Sequence, residues 1–195
     1  MITLYLIRHL PTSSNMSGLF MGREDCDITD VIDYSRVDAL RGYLQKVNSQ
    51  CIFSSPLIRC KKTAMIVCPD SQIVIDDRLV EKDLGDWSGK SRESVQAKFP
   101  EFFDKDGRLN MSLCPPNGED YSAFTGRIMS FVNDMLFSND GKRIVVFTHG
   151  GVIATILKRF SNTNLFNGDC IDTKSIDHLK AYTVSVEHPV DIFRN

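Results

Sequence analysis

Ile2-Thr3-Leu4-Tyr5-Leu6-Ile7 runs without a break into Arg8-His9. An almost wholly apolar run of this length reads as a central strand buried on both faces. A guanidinium and an imidazole at its carboxyl end lie where open α/β sheets bind ligands. Arg8 carries a permanent charge that calls for an anion, and a neutral His9 is a candidate nucleophile.

Apolar strands alternate with helical patterns along the rest of the chain. Thr29 is expected to N-cap a helix whose inward face is Val37, Leu40, Leu44 and Val47. Cys51–Ser55 reads as a second strand. Ser55 and Pro56 then read as a cap and a first-turn proline, for a helix from about Pro56 to Val67. Ile73–Ile75 is a third strand, 77–90 a loop, and helices are expected from about Ser91 and over about 120–137. Arg143–Thr148 is another buried strand, leading through His149-Gly150-Gly151 into a helix ending near Phe160. Ala181–Val186 alternates like an edge strand. This order predicts a three-layer α/β/α fold with a largely parallel central sheet, and residues 1–195 as a single domain.

Composition narrows the classes of function. Lys and Arg number 23 against 25 Asp and Glu, a net charge of −2, which argues against a nucleic-acid or polyanion binder while leaving room for one local basic cleft. The six cysteines contain no CxxC pair and no metal-ligand spacing. The opening apolar stretch lacks a basic leader and a small-residue cleavage site, and no run approaches a membrane span. Reduced thiols in a cytoplasmic protein, away from membranes, are the expectation.

Two strands end alike: Ile7 gives way to Arg8-His9, and Thr148 to His149-Gly150-Gly151. If they are neighbours, both histidines stand at one sheet edge, and the glycine amides open a helix, a natural anion site. Arg59, in the first turn after Ser54-Ser55-Pro56, adds a second guanidinium from a third strand end. Two arginines and two histidines in one cleft suit a phosphoryl group. Cleaving an ester also needs a proton donor for the leaving oxygen. Glu81, on the loop after the third strand, is the best-placed carboxyl, with Asp83 and Asp86 as competitors.

Other motifs are weaker. Asp25-Cys26-Asp27-Ile28-Thr29 has the DxDxT spacing of aspartyl phosphatases, but Gly22-Arg23-Glu24 precedes it where an apolar strand is required. A calcium loop around Asp104–Gly107 would need Phe102 and Leu113 as ligands. Gly85–Ser91 is one residue short of a P-loop. No cysteine has an arginine six positions later. His178 and His188 lack partners at useful spacing and read as surface residues.

The chain resembles the histidine phosphatase (phosphoglycerate-mutase-like) superfamily over most of its length. Arg8-His9-Leu10-Pro11-Thr12-Ser13-Ser14-Asn15 is similar to its Arg-His-Gly-x-Thr-x-x-Asn signature, with Leu10 in place of the glycine. Gly22–Thr29, Ser54–Ala64, Leu79–Gly89 and Thr148–Ile153 resemble four further family segments in the correct order. By that resemblance His9 attacks phosphorus and carries a phosphohistidine. Arg8, Asn15, Arg59, His149 and the Gly150 amide bind the phosphoryl oxygens, and Glu81 protonates the leaving oxygen and then activates water. The resemblance implies no metal and no cofactor, and a small phosphorylated metabolite as substrate. The arginines should also hold His9 neutral.

Leu10 would strain the backbone if its φ were positive, or narrow the mouth of the site. Pro115-Pro116-Asn117-Gly118-Glu119 resembles a segment of α-ribazole phosphatases, and the Asp120 that follows would disfavour a second phosphate if it lay near the substrate mouth. α-Ribazole 5′-phosphate is therefore first among named candidates. A phosphoglycerate-mutase-type phosphotransferase remains open. So does a low-activity phosphoprotein-directed or phosphate-binding module, on account of Leu10.

Overall fold

The computed structural model describes residues 1–138, 141–161, 166–167, 170–171 and 175–187. Strands β1 (Ile2–Arg8), β2 (Cys51–Ser54), β3 (Ile73–Ile75), β5 (Arg143–Thr148) and β8 (Ala181–Val186) form one sheet in the order β3-β2-β5-β1-β8. The first four are parallel to their neighbours, and β8 runs antiparallel along β1 as an edge. Three two-residue strands, β4 (Leu109–Asn110), β6 (Phe166–Asn167) and β7 (Cys170–Ile171), make a small separate sheet that the sequence pattern did not reveal.

The unbroken apolar run of β1 is explained by two cores. Leu4 and Leu6 of β1 and Ile144 and Val146 of β5 point into a core shared with α5 (Tyr121–Ser138) and α6 (Gly150–Phe160). Ile7, Val145 and Phe147 point to the opposite side, into a core with α2 (Tyr34–Val47) and α3 (Ile58–Val67). Helices on both faces leave the central strands no polar side, which is the three-layer arrangement expected. Two short helices, α1 (Ser13–Met16) and α4 (Arg92–Lys98), complete the helical set. No helix among the described residues is long and apolar enough to cross a membrane.

Two helix starts differ from expectation. Helix α2 is capped by Asp33, whose carboxylate accepts from the Ser35 and Arg36 amides, while Thr29 instead turns the loop by accepting from Val31 N. Helix α3 has no side-chain cap at its own Leu57; the carboxylate of Asp25 reaches in from a distant loop to accept from Ile58 N at 2.6 Å. Of the backbone amides, Ser55 Oγ accepts only from that of Leu57, at 3.4 Å, and from none in α3 itself.

Leu10 neither strains the backbone nor crowds the site. Its φ is not among the positive values, which outside glycine fall on Asn48, Asn117 and Leu179. Its side chain is 1% exposed in the core under α2 and α3, and its amide donates to Thr63 Oγ1 at 2.8 Å. Restoring glycine there removes a buried leucine, a change that costs about 3 kcal/mol or more. Urea unfolding of Leu10→Gly should show that loss; a change below about 1 kcal/mol would mean that the leucine is not part of the core.

Candidate active site

Three neighbouring strands deliver their carboxyl ends to one place. Arg8 lies opposite Thr148 in the β1–β5 ladder, and Ser54 opposite Phe147 in the β2–β5 ladder. His9 N donates to Thr148 O at 3.1 Å and Ser55 N to Phe147 O at 3.0 Å, so the ladder continues one residue past each strand. His9 and His149 consequently face each other edge to face, ring centres 5.3 Å apart. They line a cleft of about 210 Å³ together with Arg8, Arg59, Glu81 and Gly150.

His9 Nδ1 is 2.6 Å from the carbonyl of Leu10. A carbonyl only accepts, so Nδ1 holds the ring proton and Nε2 holds the lone pair. His149 Nε2 is bonded to Ser55 Oγ at 2.8 Å. Burial holds both imidazoles well below the ordinary value of 6.5, and Arg59 and then other nearby basic groups push in the same direction. The Cys60 thiol lies 3.4 Å from His149 Nε2, and burial raises its pKa, so it stays protonated.

Arg59 is fully buried. It donates from Nη1 to Glu24 O at 2.6 Å and from Nη2 to Gly22 O at 2.9 Å, which fixes its plane. Its Nε is buried without a hydrogen-bond partner, an unmet donor that suits an anion. Arg8 is tied through Nη1 to Ile176 O at 2.7 Å. Asn15 also lines the cleft, but its Oδ1 is occupied by the Thr12 amide, closing the capping box of α1.

Glu81 accepts from Lys82 N at 2.8 Å and from Gly151 N at 3.0 Å. The first amides of α6 were read as an anion cradle, and here one of them holds this carboxyl. Glycine is required at 151, because a Cβ there would sit 2.4 Å from Glu81 Oε1. The backbone of the acid loop is pinned by Arg127 on α5, whose Nη atoms donate to the carbonyls of Arg78, Val80 and Glu81. Arg127 also makes a two-armed pair with Glu119 at 2.8 and 3.0 Å. The 115–119 stretch thus braces the acid loop and does not line the cleft. Gly85 is the contact point, since a Cβ there would fall 2.2 Å from Pro116 O. Asp120 is exposed and its carboxylate accepts from Ser122 N, away from the cleft wall.

The structure brings together all seven site residues read from the sequence. It disposes of the aspartyl reading: Asp25 caps α3 and Asp27 pairs with Lys62, both exposed. It corrects one position. His178 is not a free surface residue but is half-buried with its ring 5.2 Å from that of His9. The signal was the edge strand: an antiparallel β8 with Ala181 opposite Ile7 must bring the residues before it beside Arg8-His9. His188 lies outside the described residues. Lys82 was also missed; it lines the cleft at 2% exposure, its Nζ donating to the carbonyls of Met111 and Leu113.

The chain is similar to known proteins over most of its length. The sequence pattern of the histidine phosphatase superfamily (branch 1) matches residues 4–185. An adenosylcobalamin/α-ribazole phosphatase of Escherichia coli is 27% identical over 158 residues, covering 80% of this chain and 77% of that protein. A metal-independent phosphoserine phosphatase of Arabidopsis thaliana is 27% identical over 170 residues, covering 83% and 69%. Among solved structures, Bacillus stearothermophilus YhfR superposes with a TM-score of 0.76 at 27% identity, covering 97% of this chain and 93% of that one.

Three imidazoles buried neutral make folding sensitive to pH. His178 is pushed down to about 4 by burial and then Arg8, and His9 and His149 lie well below 6.5. Between pH 6.5 and 4 the unfolded chain therefore binds protons that the folded chain refuses. Stability against urea should be full above about pH 6.5 and fall as pH is lowered toward 5, before carboxylates titrate. A flat profile over that interval would show that the imidazoles are not buried neutral.

Proposed function

The chain belongs to the histidine phosphatase superfamily, and from that premise we propose that it is a cytoplasmic, metal-independent phosphomonoesterase acting on a small phosphorylated metabolite. The observation that carries this reading is the unprotonated Nε2 of His9 in a cleft shared with Arg8, Arg59, His149 and one carboxyl, Glu81. In the proposed reaction Nε2 attacks phosphorus as the ester P–O bond breaks. Arg8, Arg59, His149, Asn15 and the Gly150 amide hold the non-bridging oxygens, whose charge they stabilise in a site poor in water. Glu81 passes its proton to the departing alkoxide. It then takes a proton from the water that attacks the phosphohistidine, releasing inorganic phosphate and free His9.

Beyond the phosphoryl site the cleft wall is formed by Phe20, Leu84, Leu109 and Met111, with Lys82 and Arg92 as cations. Its volume of about 210 Å³ is below the roughly 300–1,000 Å³ of common ligand pockets, which favours a compact leaving group. Phosphoserine, suggested by the name of one relative, therefore heads the candidates, ahead of the bulkier α-ribazole 5′-phosphate suggested by the name of the other. Phosphoserine finds in the two cations a match for its carboxylate.

Incubation with a panel of phosphorylated metabolites, with and without EDTA, tests the proposal. Free phosphate should appear from one or a few monoesters and be unaffected by chelation. An isomerised ester without free phosphate would instead establish a phosphotransferase. Tight phosphate binding without any turnover would establish a binding module, and a magnesium requirement would overturn the metal-independent mechanism.

Gly151→Ala probes the proton donor without altering any reacting group. The added Cβ must displace Glu81, so alkyl phosphates should be cleaved about 10²–10⁴-fold more slowly, the usual worth of a positioned acid. The burst of p-nitrophenolate from p-nitrophenyl phosphate needs little protonation and should slow much less. Equal losses for both substrates would assign Glu81 a structural role.

A further inference from the structure

The segment 175–179 packs against the end of β1, with contacts to Arg8 and His9. Arg8 Nη1 donates to Ile176 O at 2.7 Å, and Leu179 N donates to Arg8 O at 3.1 Å. Between them, His178 Nδ1 lies 2.5 Å from the carbonyl of His9, which can only accept, so Nδ1 carries the proton. The His178 ring meets the His9 ring edge to face at 5.2 Å. Arg36 Nη2 donates to His178 O at 2.6 Å and fixes that peptide in turn.

Leu179 adds a second, independent sign that this geometry is imposed. It is left-handed, φ 57°, with its side chain buried. A branched side chain at positive φ is strained and persists only where the surroundings over-determine it. Here that turn lets residue 178 face His9 while the next amide reaches Arg8 O.

We propose that His178 is a positioning residue for the nucleophile: bonded to the carbonyl of His9 and packed against its ring, it fixes the orientation in which Nε2 meets phosphorus. With it, the three successive carbonyls of this turn are all engaged: Arg8 O by Leu179 N, His9 O by His178 Nδ1, and Leu10 O by His9 Nδ1. The amides of His9 and Leu10 are held by Thr148 O and Thr63 Oγ1. Only the bond from His178 comes from a side chain that also packs on the reacting ring. His178 does not line the cleft, so it acts through His9 and not on the substrate. Burial keeps its ring neutral, which leaves the second nitrogen free of charge beside Arg8.

The inference rests on His9 being the nucleophile, and three variants separate its failure from the failure of that reading. His178→Asn keeps a donor where Nδ1 stood and loses the ring; His178→Phe keeps a ring and loses the donor; His178→Ala loses both. The readouts are the pre-steady-state burst with p-nitrophenyl phosphate, which follows phosphorylation of His9, and the inhibition constant of inorganic phosphate. His178→Ala should slow the burst about 10- to 100-fold, the scale of a small misplacement of a reacting group. The phosphate inhibition constant should change no more than about threefold, since the anion's ligands are untouched. His178→Asn should recover most of the burst rate and His178→Phe should not.

An unchanged burst in His178→Ala overturns the proposal, as does equal damage to burst and phosphate binding, which would mark a purely structural residue. Failure of His178→Asn to recover the rate, in a protein that melts like the parent, overturns it as well. If His178→Ala does not fold, the contrast between Asn and Phe still decides. Phosphate label that persists in the His9→Ala protein would instead indict the nucleophile assignment.

Discussion

The pairing of β1 with β5 is the constraint on which the rest of the site depends. Parallel strands in this register, Arg8 opposite Thr148, put the two residues that follow, His9 and His149, at the same height on the same sheet edge. Pairing of β2 on the other side of β5 adds Ser55 and, one turn later, Arg59. A one-residue slip of β1 would turn every one of its side chains to the opposite core and carry Arg8-His9 out of line with His149. The apolar alternation that fills the two cores therefore also sets the chemistry, because each core accepts only its own half of the strand.

That arrangement gathers two guanidiniums and three imidazoles into a poorly solvated space. Burial resolves most of the conflict by keeping the imidazoles neutral, and backbone carbonyls take up part of each guanidinium. What is left over is the buried Nε of Arg59, a donor that suits an anion. Glu81 is the carboxyl lining the cleft, and it is held by backbone amides of Lys82 and Gly151, not by direct pairing with an arginine. The carboxyl is thus stationed beside the cationic pocket without filling it. Its loop is braced from behind by the Arg127–Glu119 pair, so the charge that positions the acid lies outside the cleft.

Much of this was legible in the sequence wherever a local rule met no competition. The long apolar strands, the helices after them and the motif residues at strand ends all follow from period and position. Misreadings arose where another group took the place of the one expected. Thr29 and Ser55 have the right chemistry to cap helices, but Asp33 and Asp25 do so, and Ser55 turns to His149. Leu10 looked like a defect because a glycine at that place suggests special backbone, whereas the chain passes at negative φ and uses the leucine as core. The 115–119 stretch, which resembles a segment of α-ribazole phosphatases, is a brace for Gly85 and Asp83. His178 carries no motif; only the antiparallel register of the edge strand places it behind His9.

The account stands or falls on a covalent bond between His9 and phosphorus. Mixing the protein with labelled substrate and quenching it in neutral denaturant should trap phosphate on His9 that is lost in acid and survives in base. The label should be absent from His9→Ala. Label persisting in His9→Ala, or none in a protein that is turning over substrate, would contradict the mechanism.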